Sequence, residues 1–195
     1  MKYTIGEHFD GCYEGTSVLI NKLGIRDDRE LEELESVITT MKITQLIEEG
    51  YDGSFTADHY CDINRFIMGD IYNWAGTVRT VPLAKKGTSF HSPENLGRDL
   101  GRLFDYLNSQ NCFLGLSHDE FAENTADFYS DLNLLHPFRE GNGRSQRVLI
   151  TQLVSRAGHS IDFSRCDKDL LMIATISAAQ GVNDYLRQFF LSEIK

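Results

Sequence analysis

Between residues 136 and 147 the chain reads His136-Pro137-Phe138-Arg139-Glu140-Gly141-Asn142-Gly143-Arg144-Ser145-Gln146-Arg147. An Asn-Gly turn joining two helices accounts for the glycines and the asparagine. It does not account for a histidine, an acid and two arginines at fixed offsets around them. Gly141, Asn142 and Gly143 lead into a helix start, where unpaired N–H groups and the positive end of the helix dipole favour an anion. Glycine also lets the backbone come close to phosphate oxygens. Arg144 and Arg147, three apart on that helix, are expected to project over the same anion. Glu140 offers a hard carboxylate oxygen suited to Mg2+ that rides on a substrate phosphate. His136, held by a helix end and Pro137, is the nearby side chain able to accept a proton at neutral pH. A phosphate cradle, a metal ligand and a base are the parts needed for phosphoryl-type transfer to a hydroxyl.

Helices must position these groups, because apolar residues recur mostly at three-to-four spacing. A helix is expected over 28–49, with Leu31, Leu34, Ile38 and Met41 as its stripe and Asp27 with Glu30 resembling a capping box. A second is expected over 56–74, with Ile63, Ile67 and Ile71 on one face and Gly76 at its end. Residues 77–91 break the period: Val78, Thr80 and Val81 favour strand, Lys85-Lys86-Gly87 makes a turn, and Pro82 places the hairpin at an edge. Ser92-Pro93 reads as the start of the next helix. Ser117-His118-Asp119-Glu120 caps a helix that stops before Pro137. Another helix runs from about Gly143 to Ala157, and two more fill 167–193, separated near Gly181. The fold class is all-α, a single domain over 1–195 with its core at 56–158, one short β-hairpin flap at 77–91 and the chemistry at 136–147.

Composition narrows the partners. A net charge of −10 repels phosphate backbones and anionic lipid, so nucleic acid is excluded as a nonspecific partner and any polyphosphate must find a local basic pocket. Cys12, Cys61, Cys112 and Cys166 are scattered and read as reduced thiols. His8, His59, His91, His118 and His159 have no metal-ligand spacing. The stretch Met1 to His8 lacks an apolar leader run, and no apolar stretch is long enough to span a bilayer, so a cytoplasmic location and no membrane partner are expected.

The 136–147 segment resembles the Fic family motif, HxFx(D/E)GNGRxxR, at every defined position. Tyr13 to Asn21-Lys22-Leu23-Gly24, Ile71-Tyr72-Asn73-Trp74-Ala75-Gly76 and the 77–91 flap extend the resemblance over nearly the whole chain. It implies a Fic-type helical domain that moves AMP from Mg-ATP to a Ser, Thr or Tyr hydroxyl of a target protein. In those terms His136 deprotonates the hydroxyl and Glu140 holds Mg2+. Asn142 with the flanking Gly141 and Gly143 amides receives the α-phosphate, Arg144 the β-phosphate and Arg147 the γ-phosphate. Phe138 is a core anchor and Arg139 is solvated. Doc-type kinases resemble this motif but carry lysine at the place of Gly143, so the glycine favours AMP transfer.

The resemblance also implies that the target pairs with the flap by strand addition, and that Lys86 and Gly87 at its turn touch the nucleotide. Residues 179–183, Ala179 to Asn183, fall where the adenine end of the pocket is expected. Many Fic proteins are restrained by a helix carrying (S/T)xxxE(G/N). The nearest match, Thr44-Gln45-Leu46-Ile47-Glu48-Glu49, breaks the pattern at Glu49, and the N-terminal segment resembles toxin members held by a separate antitoxin. A small antitoxin-like partner acting on Arg147 is therefore expected. Competing readings are a Doc-like phosphotransferase, an enzyme that removes AMP from a modified protein, and a nucleotide-binding interaction module without turnover.

Overall fold

The computed structural model describes residues 11–85 and 87–195; Lys86 and the Met1 to His8 stretch lie outside the described residues. Among the described residues the chain forms seven α-helices and a two-stranded hairpin, and its buried apolar side chains make one cluster.

The central pair is α4 (His118–Leu135) and α5 (Asn142–Arg156), and the 136–147 segment is their connection. Helix α4 starts at a reciprocal capping box: the Ser117 hydroxyl accepts from the Glu120 amide, and the Glu120 carboxylate accepts from the Ser117 amide at 3.1 Å. Its buried face, with Phe121, Thr125, Phe128 and Leu132, packs on α3 (Leu96–Ser109), α6 (Lys168–Ala179) and α7 (Asp184–Glu193). Helix α5 packs on α4 and, from its other side, on α1 (Asp28–Glu49) and α2 (Ala57–Met68).

Three expectations need correction. The Leu31, Leu34, Ile38 and Met41 stripe of α1 faces the core only in part: Leu31 is buried and Ile38 packs against the core, whereas Leu34 is 38% and Met41 70% exposed. The inward face follows Leu31, Glu35 and Thr39 because α1 lies over the polar start of α5, where Arg144 bonds both Glu35 and Thr39. Helix α2 ends at Met68 instead of running to residue 74. The Ile71 and Tyr72 amides both turn back to the Met68 carbonyl, and both side chains are still buried.

The flap is also shorter than its strand-forming residues suggest. Only β1 (Ala84–Lys85) and β2 (Thr88–Ser89) pair, Ala84 opposite Ser89. Val78, Thr80 and Val81 lie in the run-in, where the Arg79 amide donates to the Pro137 carbonyl at 2.8 Å. Past the hairpin, the His91 amide donates to Leu134 at 3.0 Å, so the flap's base is sewn to the end of α4. Ser92 gives no side-chain cap, and Pro93 opens a short 3-10 turn before α3. No helix among the described residues is long and apolar enough to cross a membrane.

Candidate active site

His136 terminates α4. It sits in the left-handed region at φ 47°, ψ 58°, a conformation costing a non-glycine residue about 1 kcal/mol or more. Its Nδ1 lies 3.0 Å from the Asn133 carbonyl. A carbonyl only accepts, so Nδ1 carries the proton and the ring's lone pair sits on Nε2. Only 5% of His136 is exposed, and the Phe90 ring stacks on the imidazole at 3.7 Å between centroids and 12° between planes. Burial above all, with the Lys85 and Arg79 cations, pushes its pKa down to about 3; the bond to Asn133 works the other way. The imidazole is therefore neutral at pH 7. An anion arriving beside it would favour the protonated form and raise its basicity.

The start of α5 is shaped for close approach. Gly141, at φ 81°, gives α5 no side-chain cap, so its first amides have no side-chain acceptor. A Cβ on Gly141 would fall 2.8 Å from Met68 Cγ and 2.9 Å from Asn64 Nδ2. Asn64 is wholly buried: its amide donates to the Glu140 carbonyl and Ser145 hydroxyl, and its oxygen accepts from the Gly76 amide. One α2 side chain thus ties the loop, α5 and the approach to the flap together. Asn142 is wholly buried as well. Its side chain accepts from the Phe138 amide at 2.9 Å and donates to the Phe138 carbonyl at 2.7 Å, closing the loop on itself. The side chain is therefore engaged within the protein, and only the Asn142 backbone N–H remains to meet an anion. Phe138 is fully buried against Tyr60, as an anchor should be.

A cavity of about 360 Å3 opens beside these groups. His136, Phe90, Lys85, Gly143 and Arg147 line it together with the α6 side chains Lys168, Leu171, Met172, Thr175 and Ile176. A Cβ on Gly143 would stand 3.4 Å from the Arg147 guanidinium, so glycine keeps the space before that cation open. A larger cavity of about 620 Å3 lies between α3 and α4, but Asp99, Asp127 and Asp131 line it, which is the wrong sign for a triphosphate. Asn183 lines that larger cavity, and the smaller one is lined by α6 and by none of residues 179–183.

The two motif arginines part company. Arg147 lines the cavity, whereas the Arg144 guanidinium turns to α1, 2.5 Å from Glu35 and 3.3 Å from both Thr39 Oγ1 and Glu140 Oε1. Three-residue spacing brings two long side chains near one another, yet acceptors decide where each head goes. Glu140 Oε1 also accepts from the Gly141 amide at 2.8 Å. Among the described residues no hydrogen bond ends on Oε2, leaving a single hard oxygen that fits Mg2+ brought in by a nucleotide, whose phosphates and water would supply the remaining ligands. Gly87, at φ 81°, is an exposed hairpin-tip residue that does not line the cavity; its neighbour Lys85 does.

Sequence reasoning passed over Arg79. It is 4% exposed, and it donates to the carbonyls of His136 at 2.8 Å, Val81 at 2.6 Å, His91 at 2.5 Å and Leu135 at 3.3 Å. A cation on the closing carbonyls of α4 also complements the negative end of its dipole. The only signal was a charged residue between Val78 and Thr80, in a run otherwise suited to a strand.

These features define a helical domain built around a buried histidine and a glycine-flanked, uncapped helix start. The chain belongs to the Fic/DOC family, whose model matches residues 54–154. It is 34% identical over 171 residues to the probable protein adenylyltransferase y4lH of Sinorhizobium fredii, covering 87% of this chain and 88% of that one. It is 33% identical to the protein adenylyltransferase VbhT of Bartonella schoenbuchensis over 88% of this chain, and spans about a third of that protein's length, 36%. Among solved structures it superposes on the BepC effector of Bartonella tribocorum with bound AMPPNP at a TM-score of 0.89, with 31% identity over 96% of this chain and 97% of that one.

Proposed function

We propose that this chain is a protein adenylyltransferase that moves AMP from Mg-ATP to a hydroxyl side chain of another protein. The observation that carries the reading is one cavity bordered by the His136 imidazole, with its Nδ1 proton fixed on Asn133, the Gly143 end of α5 and the Arg147 guanidinium. Relatives of similar length named as adenylyltransferases, and a like-folded neighbour holding AMPPNP, support it.

In this reading the acceptor oxygen attacks the α-phosphorus while His136 Nε2 takes its proton. The bond from the α-phosphorus to the bridging oxygen breaks, and pyrophosphate leaves. The uncapped amides of α5 receive the negative charge on the α-phosphate, Arg147 holds the outer phosphates, and the Glu140 carboxylate would hold Mg2+, which would neutralise charge on the phosphates. Leu171, Met172 and Ile176 of α6 offer apolar cover for the nucleoside. The acceptor segment pairs with the exposed edge of the 84–89 hairpin. A small inhibitory protein in trans suits the half-buried Arg147 at the cavity wall, because Thr44 and Glu48 are exposed on α1 and, among the described residues, the Thr44 hydroxyl donates within its own helix, to Thr40.

The test is a lysate incubation with ATP labelled at the α-phosphate, wild type against His136→Ala. A labelled protein band that vanishes in the variant is expected. Label that enters only from the γ-phosphate would instead identify a phosphotransferase, and nucleotide binding with no label in any protein would identify a binding module.

A further inference from the structure

Helix α1 lies outside the span matched by the family model, yet two of its side chains end on the motif. Glu35 Oε1 accepts from Arg144 at 2.5 Å, and its Oε2 accepts from the Tyr72 hydroxyl at 2.6 Å. Thr39 sends its own hydroxyl proton to the Glu35 carbonyl at 2.7 Å, so its oxygen can accept from Arg144 at 3.3 Å. From Arg144 the chain of bonds continues to Glu140 Oε1, and from there to the Gly141 amide. Side-chain exposures of 13% for Glu35, 20% for Arg144 and 22% for Glu140 place the run mostly out of water, where such charge-assisted bonds are strong. Burial and the neighbouring carboxylates raise the Tyr72 pKa, so the phenol keeps its proton as donor.

The geometry of a guanidinium gives this arrangement a purpose. Arginine four residues after a glutamate on a helix start can grip both carboxylate oxygens with its fork. Such a grip would cover Oε2, the one oxygen of Glu140 that no hydrogen bond among the described residues occupies. Glu35 draws the fork the other way, and Thr39 takes a further N–H. Only Oε1 of Glu140 then meets Arg144, at 3.3 Å.

We propose that Glu35, backed by Tyr72, is a positioning residue for the metal: it holds Arg144 off Glu140 so that one carboxylate oxygen stays open to Mg2+ on the bound nucleotide. This rests on the nucleotide reading given above. It assigns α1 a part in metal binding, and it makes Arg144 a strut as well as a cation near the phosphates.

The experiment measures binding of ATP by calorimetry with EDTA and with saturating Mg2+, in wild type, Glu35→Gln and Tyr72→Phe, with the melting temperature of each. Manganese in place of magnesium gives a direct metal signal by electron paramagnetic resonance. The proposal expects Mg2+ to tighten ATP binding in wild type, and that gain to shrink by about tenfold in Glu35→Gln, the usual scale for losing a partner behind a metal ligand. Metal-free affinity should stay within about twofold, because the cavity that holds the nucleotide is untouched. Tyr72→Phe should move the metal gain the same way by a smaller factor. An unchanged gain in Glu35→Gln overturns the proposal, as does an equal loss of affinity with and without metal. If Glu35→Gln does not fold, Tyr72→Phe decides alone, and an unchanged gain there overturns it. Wild type that binds no nucleotide at all would instead remove the nucleotide reading itself.

Discussion

The Phe90 ring lies flat on the His136 imidazole, 3.7 Å away, so the flap and the candidate base share a face. Phe90 excludes water from the ring and adds to the burial that lowers its pKa. In Phe90→Ala, the His136 pKa should move up toward the ordinary histidine range, read by NMR titration of the imidazole. Transfer to protein should fall by about tenfold as the flap loses its seat. An unmoved pKa would show that the lid does not keep the base dry.

The depressed His136 pKa has a consequence for stability with a definite sign. In the unfolded chain the imidazole binds a proton below about pH 6.5, whereas in the folded protein it does so only near pH 3. Between those values the unfolded state holds more protons, so stability falls as pH drops through the window and is fully present above it. Denaturant unfolding at pH 7 and pH 5 should show a steeper loss in wild type than in His136→Gln. His59, also depressed by burial, leaves a smaller slope in both. Equal slopes would contradict the buried neutral imidazole.

Arg79→Ala would leave the carbonyls of Val81, His91, Leu135 and His136 without the cation they share. Loss of a buried charge-assisted network costs on the order of 3 kcal/mol. The urea midpoint should fall accordingly, and limited proteolysis should cut within 77–91 first. Arg79→Lys keeps the charge but not the fork, and should recover less than half of the loss. Wild-type behaviour of Arg79→Ala would remove its assigned role.

Two glycines of the motif should respond differently to alanine. At Gly141 the positive φ and the contacts at 2.8 and 2.9 Å predict destabilisation of about 2 kcal/mol or more, seen in thermal unfolding. At Gly143 the backbone is helical and the nearest contact is Arg147 at 3.4 Å. There alanine should leave the melting temperature nearly unchanged and weaken nucleotide binding by a few-fold as the guanidinium is pushed. The reverse pattern would exchange the structural and ligand-facing assignments.

The local form of the 136–147 segment, a loop closing into a helix start, was legible because its histidine, acid and glycines are close in sequence. What escaped was everything brought to them from elsewhere. Glu35 and Thr39 sit on an inward face that a hydrophobic period passes over, so the stripe of Leu31, Leu34, Ile38 and Met41 took in Leu34 and Met41, which are 38% and 70% exposed. Ile71 and Tyr72 satisfied helical spacing yet follow a helix that had ended at Met68, since burial constrains side chains without fixing the backbone that carries them. Asn142 was read as a phosphate group because its type allows it. Only coordinates reveal both ends of its amide already committed to Phe138.

Because a single guanidinium joins residues on both arms of the hairpin to the peptide of the histidine, the hairpin cannot swing at its root like a door. A strand laid along that edge would therefore meet the base at a depth set by this protein and not by the visitor, as on a gauge with a fixed stop. Choice among acceptors would then depend on side-chain length measured from the hairpin, more than on the sequence surrounding the hydroxyl.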